Sequence, residues 1–181
     1  MPDTSTKPPS PATAAVGALL PNRTHVLVVG SSTTYPIVAA AAEFIARRDG
    51  ILTPVIESTG TGGGIVIGGR LLRGPNAIAG EWGHNPLPWP LDEERPGPAC
   101  YCGRHGCIET FLSGPGLARD YAPDEPGPDA AQIARRAADG EAAAEASLVR
   151  YEDRMARALA GVINILDPEV IVLGGGLSRV E

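Results

Sequence analysis

Short β-branched runs in this chain alternate with longer stretches that repeat every three or four residues. Residues 25–29 (His-Val-Leu-Val-Val) predict a strand, and Gly30-Ser31-Ser32-Thr33-Thr34 predict a turn after it. Pro36 suits the first position of a helix that residues 37–48 continue. Residues 51–57 predict a second strand, with Pro54 placing it at a sheet edge. Residues 58–64 carry four glycines and predict a loop, and residues 65–67 and 70–72 flank Gly68-Gly69 as a hairpin. Residues 74–106 predict a loop long enough to need something to hold it. Helices are predicted to open at 108–112 and to span 130–138 and 142–166. In the last, Leu148, Tyr151, Met155, Leu159, Val162, Ile163 and Leu166 mark one face. Asp167-Pro168 end it, residues 170–173 predict a buried strand, and Gly174-Gly175-Gly176 follow. A parallel strand normally runs on into a covering helix, and none follows, so the carboxy end reads as truncated. Residues 1–24 lack periodicity and are expected to form a disordered tail.

Composition adds limits to this α/β reading. Hydrophobic residues make up 43% of the chain and aromatics 4%, so the core is expected to be Ala, Val, Ile and Leu. The formal charge is −6, with no basic cluster and no readable helix-turn-helix, which argues against nucleic-acid binding. No apolar run reaches the roughly 18 residues of a membrane helix. Residues 12–20 are mildly apolar, but Pro8, Pro9 and Pro11 precede them, so they read as tail rather than as a secretory signal core.

The strongest chemical signal is His84 followed by Cys100, Cys102 and Cys107. Three cysteines within eight residues make a poor disulfide framework and a good ligand set for a metal. With one imidazole they complete a closed tetrahedral zinc site, which leaves no open position and is therefore structural. Gly103 and Gly106 let the chain curl back to deliver Cys107. His105 is the rival fourth ligand, but it lies inside the short loop between Cys102 and Cys107. Unmetallated thiols are the plainer alternative. Zinc thiolates fit a reducing cytoplasm, which is the expected location.

Four blocks then carry a family resemblance: Gly60-Thr61-Gly62-Gly63-Gly64-Ile65, Gly80-Glu81-Trp82-Gly83-His84, the run from Cys100 to Glu109, and Ser113-Gly114. In order and spacing they resemble the ROK family of sugar kinases and repressors, over residues 59–181, with bacterial fructokinases most similar around residues 80–88 and 100–114. The resemblance implies part of an actin-like, ribonuclease-H-like ATPase fold. It implies that Glu81 and Glu109 accept hydrogen bonds from sugar hydroxyls, and that His84 holds zinc with one ring nitrogen and sugar with the other. The plainer readings are a solvated loop carboxylate for Glu81 and a helix amino-terminal charge for Glu109. Backbone amides of Gly60, Thr61, Gly62, Gly63 and Gly64 would hold ATP phosphate, and Gly174, Gly175 and Gly176 would approach the adenosine. Mg²⁺, a hexose (fructose above all) and a homodimer are further implications.

The chain departs from that family in two places. It has neither the first phosphate loop nor the Asn-Asp pair whose Asp is the general base; Asp49 has no Asn before it and Asp3 lies in the tail. Upstream, Val29 to Pro36 and Val55 to Gly64 resemble the start of a periplasmic phosphate-binding protein of ABC transporters. Ser32 and Thr33 there suit either phosphate or an ordinary helix cap. Residues 25–57 are thus expected to be a strand-helix-strand unit joined to a ROK part at 58–181. The expected activity is hexose phosphorylation by descent, with zinc bound, sugar held weakly and little phosphorylation by this chain alone. A sugar-sensing module without catalysis and a phosphate-binding fragment are the alternatives.

Overall fold

A computed structural model describes residues 25–30, 61–67, 70–76, 78–124 and 127–174 of the chain. The expected tail at 1–24, the turn beyond Gly30 with Ser32 and Thr33, the helix from Pro36 to residue 48, Asp49, the strand at 51–57, and the glycines at 60, 175 and 176 lie outside the described residues.

Four strands form one mixed sheet in the order β3-β2-β1-β4. They are β1 (His25–Gly30), β2 (Gly62–Ile67), β3 (Arg70–Leu71) and β4 (Val170–Gly174). The hairpin read from Gly68-Gly69 is present as the antiparallel pairing of Ile67 with Arg70 and Val66 with Leu71. The β-branched run of β1 has a sheet neighbour on each side. It pairs antiparallel with β2, where Val29 faces Gly63, and parallel with β4, where Val28 faces Val172.

Four helices follow the hairpin: α1 (Ile108–Leu112), α2 (Gly114–Tyr121), α3 (Ala130–Ala138) and α4 (Ala142–Leu166). The periodicity of residues 130–138 and 142–166 predicts α3 and α4 at their observed bounds. Asp129 caps α3 by accepting from the Gln132 amide at 2.8 Å, while the Gln132 side chain accepts from the Asp129 amide at 2.9 Å. Asp167 ends α4 in the left-handed region at φ 42°, and Pro168 prevents continuation.

Two differences from the sequence reading have physical causes. Residues 62–64, expected in a loop, are the first half of β2, because glycine lets other backbone come unusually close. The Gly63 amide donates to the Gly80 carbonyl at 2.9 Å, and a Cβ built on Gly83 would lie 1.6 Å from the Thr61 oxygen. The sequence reading predicts no element over residues 114–121, where helix α2 lies. Ser113 caps it, accepting from the Gly116 amide at 3.1 Å, with Pro115 in the first turn, where no amide is needed.

The core has two centres. Trp82, Leu87, Ile108, Phe111, Leu112 and Ala158 form one, with Ile65, Ile171, Met155, Leu159 and Val162 packed against it. Leu117, Ile133, Ala137 and Ala144 form the other, and Tyr151 of α4 touches both. Leu117 and Ile133 are 1% and 0% exposed, so each contributes about 1.5–3 kcal/mol by burial. Through these contacts α4 is the spine on which the sheet and the long loop are mounted. Among the described residues no helix is long and apolar enough to cross a membrane.

Candidate functional site

The long loop is closed at its base by backbone bonds. The Leu87 amide donates to Gly106 at 3.0 Å and the Ile108 amide to Asn85 at 2.9 Å. These bonds bring the 3₁₀ turn Trp82–His84 beside the start of α1, where Cys107 is the N-cap. His84, Cys100, Cys102 and Cys107 therefore meet, with their donor atoms within 4.8 Å of one another. His84 Nδ1 lies 3.5 Å from the Cys100 sulfur, and the Cys102 and Cys107 sulfurs are 3.6 Å apart. Zinc–sulfur bonds of about 2.3 Å and zinc–nitrogen bonds of about 2.0 Å require tetrahedral edges of roughly 3.8 Å and roughly 3.5 Å. These two edges of the six fit, and all donor pairs lie within 4.8 Å. His84 supplies the imidazole of this cluster, and the exposed His105 is outside it.

The exposed Cys102 thiol and the buried Cys107 thiol differ electrically. A backbone amide of Arg104 pulls the exposed Cys102 thiol down to about 7. Burial pushes the Cys107 thiol up to about 12, and neighbouring sulfurs add to that. A cation in their midst offsets this repulsion, which is the reason such clusters suit metal.

The other ring nitrogen of His84 faces Glu109. His84 Nε2 lies 4.0 Å from Glu109 Oε2, on the first turn of α1, and 2.8 Å from the Tyr101 hydroxyl. Burial raises the Glu109 pKa, nearby Glu81 raises it further, and His84, the Thr61 amide and the Tyr101 hydroxyl pull it down. Glu81, His84 and Glu109, singled out in the sequence, thus converge on one place. Gly83 and Gly80 make this possible, since β2 runs against the backbone of the 80–83 segment. The Thr61 hydroxyl is buried there, with no hydrogen-bond partner among the described residues.

Behind the cluster lies an ionic network that the sequence reading missed. Glu94, in the 3₁₀ turn Asp92–Glu94, is 5% exposed and accepts from Arg154 Nε at 2.8 Å and from Arg157 Nη2 at 2.8 Å. Arg154 also donates to Asp120 of α2 at 2.6 Å. Arg157 Nη1 donates to the carbonyls of Pro88 and Trp89 at 3.2 and 3.0 Å. Burial opposes the Glu94 charge, but the two arginines and the Leu91 amide overcome it and hold its pKa at about 2. The signal in the sequence was Arg154 and Arg157, two cations three apart on the helix that carries the apolar stripe. A cavity of about 350 Å³ lies beside this network, lined by Glu93, Thr110, Arg119 and Asp120 among others, and neither Glu81, His84 nor Glu109 borders it.

The fold is thus a mixed sheet packed with one long helix, and its site is a Cys₃His cluster whose imidazole also faces Glu109. The chain belongs to the ROK family, whose match spans residues 38–181. That match begins inside the segment expected to resemble a phosphate-binding protein. The chain is 36% identical over 140 residues to an N-acetyl-D-glucosamine kinase of Yersinia enterocolitica, covering 75% of this chain and 46% of that protein. It is 40% identical over 130 residues to one from Shigella flexneri, covering 69% and 43%. The chain thus spans just under half the length of these relatives. In structure it is similar to a ROK hexokinase from Thermus thermophilus, at a TM-score of 0.64 and 31% identity, covering 92% of this chain and 47% of that one. A ROK glucokinase from Streptomyces griseus, in complex with glucose and AMPPNP, shares the fold at a TM-score of 0.63 and 24% identity, covering 92% and 50%. None of these four is a fructokinase, so they do not carry the expected preference for fructose.

Proposed function

We propose that this chain is the sugar- and zinc-binding part of an ATP-dependent hexose kinase. His84, Cys100, Cys102 and Cys107 hold one structural zinc ion. Glu81, His84 and Glu109 hold the hexose. The observation that carries the reading is the two-sided imidazole: Nδ1 faces the thiols while Nε2 faces Glu109.

The chemistry follows from that placement. A metal on Nδ1 leaves the proton on Nε2, so His84 becomes a fixed donor. Glu81 and Glu109 accept from hydroxyl groups. A donor and two acceptors in fixed positions select a polyol and reject an apolar ligand, because any unmatched polar group is left unpaired.

ATP phosphate is assigned to the backbone at Gly60, Thr61, Gly62, Gly63 and Gly64, and adenosine to Gly174, Gly175 and Gly176, with Mg²⁺ bridging phosphates. The Thr61 hydroxyl, buried without a hydrogen-bond partner among the described residues, supports a polar ligand there. The sequence contains no Asn-Asp pair, so no general base is assigned, and transfer by this chain alone is expected to be slight. Given the relatives' names, N-acetyl-D-glucosamine and glucose are the first sugars to test, ahead of fructose. Pairing into a homodimer is part of the same proposal.

The test is metal analysis of the purified chain, followed by calorimetric titration with N-acetyl-D-glucosamine, glucose and fructose. One zinc per chain and saturable binding of at least one hexose are expected. A metal-free chain that binds none of the three removes the proposal.

A further inference from the structure

Tyr101 sits between two metal-ligating cysteines, yet its side chain is turned onto the carboxylate side of His84. The two rings meet edge to face, with centroids 4.9 Å apart at 87°. The hydroxyl is 2.8 Å from His84 Nε2 and also hydrogen-bonds to Glu109. His84 Nε2 and Glu109 Oε2 are themselves 4.0 Å apart, too far for a direct hydrogen bond. A single hydroxyl bridges that gap.

The polarity of the bridge is set by the rest of the cluster. With Nδ1 committed to the metal side, Nε2–H donates to the phenolic oxygen, and the phenolic O–H donates to the Glu109 carboxylate. A sugar hydroxyl seated between the same two groups would accept and donate in the same sense. The two hydroxyls compete for one position. Tyr101 is nevertheless 69% exposed, so its ring has open solvent to turn into.

We infer that the Tyr101 hydroxyl is an internal stand-in for a sugar hydroxyl: it satisfies His84 and Glu109 while the site is empty, and a hexose must displace it to bind. This rests on the sugar-site reading above. Its consequence is that Tyr101 lowers hexose affinity and keeps a half-buried carboxylate and imidazole paired in the free protein. Removing the hydroxyl removes a competitor.

The experiment is calorimetric titration of N-acetyl-D-glucosamine and glucose into the zinc-loaded full chain, as wild type, Tyr101→Phe and Tyr101→Ala. Zinc content is measured for each, and all three are expected to hold the same amount. Tyr101→Phe keeps the ring and is expected to bind hexose about three- to tenfold more tightly, the worth of one exchanged hydrogen bond. Tyr101→Ala is expected to tighten binding in the same direction. Equal or weaker binding in Tyr101→Phe, with hexose still bound by the wild type, overturns the inference and leaves the sugar site standing; weaker binding makes Tyr101 a direct sugar contact. Absence of hexose binding in all three overturns the sugar-site reading and this inference together.

Discussion

Arg154 and Glu94, sixty residues apart in sequence, form a buried ion pair with Nε 2.8 Å from Oε1 and side chains 8% and 3% exposed. The pair joins the middle of α4 to the centre of the long loop. With Arg157 on the Pro88 and Trp89 carbonyls, it fixes the loop at residues 88–94, while the thiol cluster holds it at Cys100, Cys102 and Cys107. Neither of these two anchors is apolar; they add to the apolar hold of Trp82 and Leu87, which are buried in the core cluster.

Arg154→Ala leaves Glu94 and Asp120 short of a partner inside the protein. Breaking a buried pair by removing one member costs about 3–5 kcal/mol. Arg157 still reaches Glu94, and Arg150 still reaches Asp120 at 2.8 Å, so the loss is expected at the lower end, about 3 kcal/mol. Urea unfolding of wild type and variant measures it.

Acid acts on the same pair. The folded Glu94 pKa of about 2 lies below its ordinary 4.5, so its ionised form is favoured by folding. That contribution is fully present above pH 4.5 and is lost as the pH falls through about 2. Unfolding free energy measured from pH 5 downward is expected to fall more steeply in the wild type than in Glu94→Gln, which has no carboxylate to protonate there.

Gly83→Ala is expected to be severe. The new Cβ would lie 1.6 Å from the Thr61 carbonyl oxygen, which is backbone and cannot swing aside, so β2 and the turn carrying Glu81 and His84 must separate. A loss of about 3 kcal/mol or more is expected. Gly103→Ala is the control: its φ is +85° but nothing lies within 4 Å, so only the left-handed penalty of about 1–2 kcal/mol applies. Thermal unfolding of both variants decides this.

Removing metal with a chelator is expected to loosen the loop and spare the helices. Amide exchange should rise several-fold or more across residues 85–107, whose order depends on the cluster, and stay low in α3 and α4, which have their own core. Cys107→Ser, at a 1% exposed position, is expected to be worse tolerated than Cys102→Ser at the surface.

Much of this was legible because it is local. The apolar stripe from Leu148 to Leu166 signals α4 without reference to the rest of the chain. The Cys-x-Cys and Gly-Cys spacing announces a thiol cluster in the same way, and His84 joins it. What was not legible depends on distant partners. Gly62, Gly63 and Gly64 read as a loop because a glycine run gives no strand signal. They are strand because β1 and the 80–83 segment press on both sides. Ser113-Gly114-Pro115-Gly116 hid α2 in the same way. Glu94 and Asp120 look like ordinary surface acids until the fold sets arginines against them. Tyr101 reads as filler between two cysteines until its hydroxyl is seen against His84.

The central claim is that a metal-fixed imidazole makes the sugar site. Its most direct test is one titration of N-acetyl-D-glucosamine and glucose into the zinc-loaded chain and into the same chain after chelation. Binding is expected in the loaded chain, to be lost or weakened at least tenfold when the metal is removed, and to return when zinc is restored. Equal hexose affinity with and without metal would contradict the account.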